Sequence, residues 1–263
     1  MEFHVLASGS KGNATFVYEN GTGILIDCGI SRKQLLYRLN EVGFNESDIT
    51  YVFLTHDHYD HSKNIHIFED KMIYSARGNI EKMDEEHILE PFQTYHFNQL
   101  SVEVLPLSHD ATNTVGFIIR GDESLLYMTD TGFVSVKNRE LIGNLNYYII
   151  EANHDIEMLM NTRRPLYLKN RILGDEGHLC NEYSARLMCE VIGEDTKEIV
   201  LAHLSQEANT KELALKTYYE VFDEKHMSFD RNNIKVASQV DVDRKSTRLN
   251  SSHTYQSRMP SSA

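Results

Sequence analysis

The sequence has no tryptophan, three cysteines and four prolines in 263 residues. Cys28, Cys180 and Cys189 are too few and too scattered for a disulfide framework, so a reducing cytoplasm is the expected compartment. No apolar run approaches the ~18–20 residues that a membrane-spanning helix needs. Met1, Glu2, Phe3 and His4 show no basic patch leading into an apolar stretch, so no secretory signal is expected. Positive charge is scarce too: 26 Lys+Arg against 39 Asp+Glu leave a net charge of −13. That excludes a protein gripping nucleic acid by bulk electrostatics alone. It does not exclude an enzyme whose bound cations attract an anion locally. With 41% hydrophobic residues and little Gly or Pro, the chain is neither fibrous nor disordered, and it is long enough to bury a sizeable core.

What is abundant is histidine, thirteen in all. The composition also changes abruptly at Asp243, where DRKSTRLNSSHTYQSRMPSSA is Ser/Thr/Arg-rich with no apolar period. Asp243 to His253 reads as an in-frame translation of a sequencing adapter, and Ser257 to Ala263 resembles the adapter's far end. Residues 243–263 are therefore expected to be a disordered, non-native tail, and residues 1–242 to form one domain. On this reading the natural C-terminus is missing.

Short β-rich runs alternate with turns and helical patterns. Strands are expected at Phe3–Ala7, Thr15–Tyr18, Ile24–Asp27, Tyr51–Thr55, Met72–Ser75, Ser101–Leu107, Val115–Arg120, Leu125–Thr129, Tyr147–Glu151 and Ile199–His203. The runs YVFL and YYII are apolar on both faces, as central strands covered on both sides should be. Ser31 can cap a helix that carries Leu35, Leu36, Leu39 and Val42 on one face and stops at Gly43. Asn181 can cap a second, with Tyr183, Leu187, Met188, Val191 and Ile192 inward. Thr210–Phe222 gives a third. Mixed sheets with outer helices follow, with too many strands for a simple doubly wound sheet.

The strongest signal is Thr55-His56-Asp57-His58-Tyr59-Asp60-His61. It follows an apolar strand, so it occupies a strand-end loop, where several side chains can turn to one point. Imidazole with carboxylate suits zinc, manganese or iron rather than calcium. His56 and His58 alternate and share one side of an extended segment, while Asp60 and His61 turn to a second centre. His109, Asp130 and His203 each close a later strand-like run. Singly each reads as a turn or solvent-facing residue. Together they repeat one pattern, apolar strand then ligand, that builds a metal cluster at a sheet edge.

These residues resemble the signature of the metallo-β-lactamase-fold hydrolases: an H-x-H-x-D-H run, then a His, an Asp and a His, each ending a strand. The resemblance implies an α/β (α+β) fold, the four-layer αββα sandwich. It implies two divalent metal ions, Zn or Mn. One is held by His56, His58 and His109, the other by Asp60, His61 and His203, with Asp130 bridging and Asp27 supporting the ligands. LASGSKGNATFV, LIDCGIS, SHDATNTVGF, TDTGFVS, EANHD, GHLCNE and LAHLS further resemble the YycJ/WalJ type. Asp57 and Cys180 depart from it, standing where Glu and Ser are usual, and neither is an expected ligand.

The implied activity is a 5′→3′ single-strand DNA or RNA exonuclease using a hydroxide held by two metals. Its partner is nucleic acid with a single-stranded 5′ end, not a membrane. Asp60 and His178 are the candidate catalytic residues, His178 to protonate the leaving group. Glu151 and His154 are candidates for supporting the site, and Asn209 for touching phosphate. The basic stretch Arg163, Arg164, Lys169 and Arg171 is a candidate track for a nucleic-acid backbone, against the simpler reading of a solvated face. Ser8–Asn13 lacks the Gly-Lys-Ser/Thr ending of a P-loop and is expected as a tight hairpin near the site. The alternative is a thioester, lactone or lactam hydrolase of the same fold. A redox module is disfavoured by His58, which relatives with di-iron centres replace with Glu.

Overall fold

Strands β1 (Glu2–Ala7), β2 (Ala14–Glu19), β3 (Thr22–Ile26), β4 (Tyr51–Leu54) and β5 (Ile73–Ser75) form one sheet in sequence order. A second sheet runs β12-β11-β10-β9-β8-β7-β6. Its members are β6 (Thr94–Phe97), β7 (Leu100–Pro106), β8 (Val115–Arg120), β9 (Ser124–Met128), β10 (Tyr147–Glu151), β11 (Glu198–Ala202) and β12 (Ile234–Val236). The computed structural model describes residues 1–238; the adapter-like segment lies outside the described residues.

Period-2 patterning explains the layering. In β10, Tyr147 and Ile149 face the other sheet while Tyr148 and Ile150 face helices. The same split divides Ile24 and Ile26 from Leu25 in β3. Phe3, Phe53, Phe117, Tyr127 and Val200 are among the residues that fill the space between the sheets. Both YVFL and YYII pair with a neighbour on each side and have apolar cores over both faces.

Helix α1 (Arg32–Glu41) lies on the outer face of the first sheet. A full capping box, Ser31 with Gln34, starts it, and Leu35 and Leu39 pack with Leu6, Phe16, Leu25 and Val52. The one-turn α2 (Tyr59–Ser62) follows β4, and α3 (Val136–Leu141) follows β9. The short α4 (Ile156–Asn161) and α5 (Leu166–Leu173) follow β10. Helices α6 (Asn181–Val191) and α7 (Lys211–Glu224) cover the outer face of the second sheet through Ala185, Met188, Ala214, Tyr218 and Phe222. The four layers are thus helix, sheet, sheet, helix.

Two details differ from expectation. Cys180, not Asn181, is the N-cap of α6; its Sγ accepts from the Tyr183 N–H at 3.5 Å. Tyr183 is exposed rather than inward, because the buried stripe of α6 passes through Asn181, Ser184, Leu187, Met188 and Val191.

Strands β3, β4 and β5 are mutually parallel, and so are β9 to β12. Ligands of parallel sheets collect outside the carboxyl ends of the strands. Asp27, His56, Asp130, Glu151 and His203 all stand at such ends.

Candidate metal centre

Beyond Leu54 the chain leaves the sheet through Thr55 and His56, and His58 caps the single turn of α2. The extended step His56-Asp57-His58 keeps two imidazoles together, their ring centroids 4.7 Å apart. The turn then swings Asp60 and His61 to the other side. His56, His58 and His109 bring ligating atoms within 4.8 Å of one another, and so do Asp60, His61 and His203. Asp130 forms a third such group with His56 and His61, which places it between the other two. Each triad draws two residues from the β4 loop of the first sheet and one from the second sheet.

The turn is held from behind by backbone. The Asp60 carbonyl accepts from the Asn13 N–H at 2.8 Å, and the Cys28 N–H donates to the His61 carbonyl at 2.8 Å. A Cβ on Gly29 would stand 1.6 Å from the Asp60 carbonyl oxygen. Gly29→Ala is therefore expected to displace α2 and to lower metal affinity by at least ~10-fold, the scale seen when residues supporting a metal site are changed. Titration of the metal-free protein with Zn²⁺ measures this; an unchanged affinity would show that the turn tolerates the shift.

Neighbouring groups set which ring nitrogen faces inward. Asp27 Oδ2 takes His61 Nδ1 at 2.7 Å, and Asp27 Oδ1 accepts from the Thr55 N–H at 2.9 Å. Thr55 Oγ1 lies 3.0 Å from His56 Nδ1. His109 Nδ1 is 3.1 Å from the Gly177 carbonyl, and His203 Nδ1 is 3.0 Å from Glu151 Oε1. In each case Nδ1 is engaged, which turns Nε2 towards the centre. His56 Nε2 and His203 Nε2 are buried with no hydrogen-bond partner, and buried Asp130 Oδ2 has none beyond its ion-pair contact with His61 Nε2 at 3.2 Å. Such atoms are costly to leave unpaired. An array of imidazole and carboxylate atoms converging around them fits divalent cations of the zinc or manganese type.

Electrostatics agree. Burial opposes ionisation of Asp130, yet the imidazoles of His203 and His61 hold its carboxyl well below the usual range. Burial likewise opposes charge on His61, but Asp27 and Asp130 hold its pKa up at about 10. Burial disfavours an ionised Glu151, while His178 and His203 bring it down to about 2. The pocket therefore demands positive charge at its centre, which protons on imidazole or metal ions can supply.

Asp27, Asp130 and His203 share another property. Their φ angles are 62°, 59° and 55°, left-handed values that non-glycine residues rarely adopt and that cost of order ~1–3 kcal/mol each. Each bends out of a strand end to turn its side chain inward, and the surrounding hydrogen bonds hold it there.

His178 joins the cluster from the loop before α6. Its Nδ1 lies 2.8 Å from Glu151 Oε1, its ring is 5.1 Å from that of His109, and the side chain is 19% exposed. Glu151 Oε2 in turn accepts from the Thr131 and Leu179 N–H groups at 2.9 and 3.2 Å. His178, His203, Asp130 and Glu151 also form a compact group. Since Glu151 Oε1 engages Nδ1 of both histidines, that group is a support rather than a third cation cavity.

Other expected contributors stand elsewhere. His154 is buried with neither ring nitrogen hydrogen-bonded, so it supports no ligand side chain; burial lowers its pKa to about 4. Asn209 is a structural clasp. Its amide donates to the Ala152 and Asn153 carbonyls and exchanges hydrogen bonds with Asn181. The basic stretch does not form a continuous track. Lys169 turns inward and donates to the Met160 and Thr162 carbonyls, Arg164 pairs with Glu207, and Arg171 pairs with Asp110. In so acidic a chain most cations near the site find a partner. Arg163 is exposed.

The sequence places Ser8–Asn13 in a hairpin near the site and Thr55 at the head of the histidine run, but it assigns no contact to Asn13, Ser8 or Thr55 individually. The Ser8–Asn13 hairpin reaches the cluster, with Asn13 Nδ2 2.9 Å from His61 Nε2 and Ser8 Oγ accepting from the His203 N–H at 2.7 Å. Thr55 links Asp27 to His56.

Comparison with known proteins places this architecture. Residues 22–204 match the model of the β-lactamase superfamily domain. The exodeoxyribonuclease YycJ of Bacillus anthracis is 36% identical over 239 residues, covering 86% of this chain and 90% of its own. The exodeoxyribonuclease WalJ of Streptococcus pneumoniae serotype 2 (strain D39) is 35% identical, covering 82% and 86%. Among solved structures, the metallo-β-lactamase fold protein YhfI from Bacillus subtilis superposes with a TM-score of 0.68 at 16% identity, covering 92% of this chain and 98% of that one. Human tRNase Z, short form, gives 0.62 at 16% identity with the same coverage. The chain belongs to the β-lactamase superfamily and, within it, to the family of the YycJ and WalJ exodeoxyribonucleases.

Proposed function

We propose that this chain is a metal-dependent exodeoxyribonuclease. It removes nucleotides from a single-stranded 5′ end, in the cytoplasm; the two triads, together with Asp130, would hold two divalent ions, Zn²⁺ or Mn²⁺. The observation that carries this reading is the convergence of seven imidazole and carboxylate side chains on buried Nε2 and Oδ atoms, in a chain similar over most of its length to exodeoxyribonucleases.

The cations, when bound, supply Lewis acidity towards the phosphoryl oxygens and lower the pKa of water. The chain does the rest. Asp130 and Asp60 offset the positive charge, and Asp60 takes a hydrogen bond from the attacking water. His178, anchored through Nδ1 on Glu151, presents Nε2 to the leaving oxygen and gives it a proton. Glu151 stays ionised and steadies the imidazolium. The adjoining cleft, about 470 Å³, is lined by Asp57, His58, Tyr59, Asp110, Ala111 and Thr112, a polar lining that suits a nucleotide better than an apolar thioester or lactone.

The test uses metal-stripped protein, reloaded with Mn²⁺ or Zn²⁺ and given a 5′-phosphorylated single-stranded oligodeoxynucleotide beside a generic thioester. Chelation is expected to abolish cleavage of the oligonucleotide and reloading to restore it. Hydrolysis of the thioester alone would overturn the reading.

A further inference from the structure

Tyr59 stands inside the histidine run, between His58 and Asp60. Its neighbours His56 and His61 are wholly buried, yet Tyr59 is 71% exposed. The ring stands in the wall of the cleft that His58 also lines. Neither packing nor hydrogen bonding accounts for it, since the hydroxyl has no hydrogen-bond partner among the described residues. Lys63 Nζ, one turn on, lies 5.3 Å from the ring centroid. Lys63 has no carboxylate partner among the described residues, unlike Arg164 and Arg171 across the site.

An exposed aromatic ring and an ammonium with no carboxylate partner among the described residues, at the edge of a phosphodiester-cleaving centre, are complementary to a flat heterocycle linked to a phosphate. We infer that Tyr59 and Lys63 form a platform for the nucleotide next to the scissile phosphate, Tyr59 stacking on its base and Lys63 meeting its backbone. This rests on the nuclease reading and adds a basis for substrate choice. Every base has a π-face, so the platform is indifferent to sequence. A base within a duplex already has both faces stacked, so the platform selects an unpaired end.

The test compares wild type, Tyr59→Ala, Tyr59→Trp and Lys63→Gln on 5′-phosphorylated single strands, intact or carrying one abasic residue at successive positions from the end. Tyr59→Ala is expected to raise KM about tenfold, more than it alters kcat, with two metal ions still bound; Tyr59→Trp restores KM. Lys63→Gln is expected to flatten the dependence of KM on salt. In wild type, one abasic position raises KM by a similar factor, and that penalty disappears in Tyr59→Ala. An abasic penalty that survives in full in Tyr59→Ala, or a KM there within twofold of wild type, overturns the platform while leaving the nuclease reading intact. Failure of wild type to cleave any oligonucleotide overturns the nuclease reading itself, and the platform with it.

Discussion

Asp130→Ala is expected to lower turnover by roughly a thousandfold or more and to leave fewer than two metal ions per chain. Asp130 Oδ2 lies 3.2 Å from His61 Nε2, and Oδ1 lies 3.2 Å from His203 Nδ1, so one carboxylate faces residues of both sheets. Its removal leaves imidazoles without the charge that balances cations between them. Asp130→Asn keeps the shape and removes only the charge. It is expected to lose metal as the alanine variant does while its thermal unfolding midpoint in the metal-free state stays close to wild type. Elemental analysis after gel filtration, beside single-turnover kinetics, reads both. Two ions per chain in the alanine variant would remove Asp130 from its shared position.

His178→Ala is expected to behave differently. Loss of a positioned acid slows cleavage by about 10²–10⁴-fold. The metal content should stay at two, because His178 belongs to neither triad. The effect should also depend on the leaving group: a p-nitrophenyl phosphodiester, which departs without a proton, is expected to be slowed far less than an oligonucleotide. Equal slowing of both would reduce His178 to a structural role. Glu151→Gln is a poorer probe, since one oxygen of Glu151 serves both His178 and His203 and the change would disturb acid and ligand together.

The cluster was legible because its imidazole and carboxylate side chains follow apolar strands and four of them share a seven-residue run. Strands covered on both faces, such as YVFL and YYII, were legible for the same reason: a buried strand leaves an apolar run with sharp ends. What escaped is what depends on distance or on an edge. Asn13 is 48 residues from His61, and nothing in SGSKGN announces the histidine it meets. Strand β12 has three residues, and β6 is a largely exposed edge. The short α3, α4 and α5 give too few turns for an apolar stripe. Arg163, Arg164, Lys169 and Arg171 look alike as charges, yet their fates diverge. Lys169 folds its stem inward to satisfy carbonyls, which no charge count reveals. The YycJ/WalJ resemblance rests on motifs between Leu6 and Ser205, and the curated relatives match over most of the chain.

Each proposed cation would take two residues from one sheet and one from the other. Neither half of the sandwich is a chelator by itself. A nascent chain emerging with only its first sheet would hold a partial nest, and the cavity closes when the second sheet docks. Ion choice would then fall to a finished cage of fixed dimensions rather than to loose histidines competing for whatever the cell offers. Once inside, the pair would rivet the two halves together, so resistance to heat would track the supply of free ion.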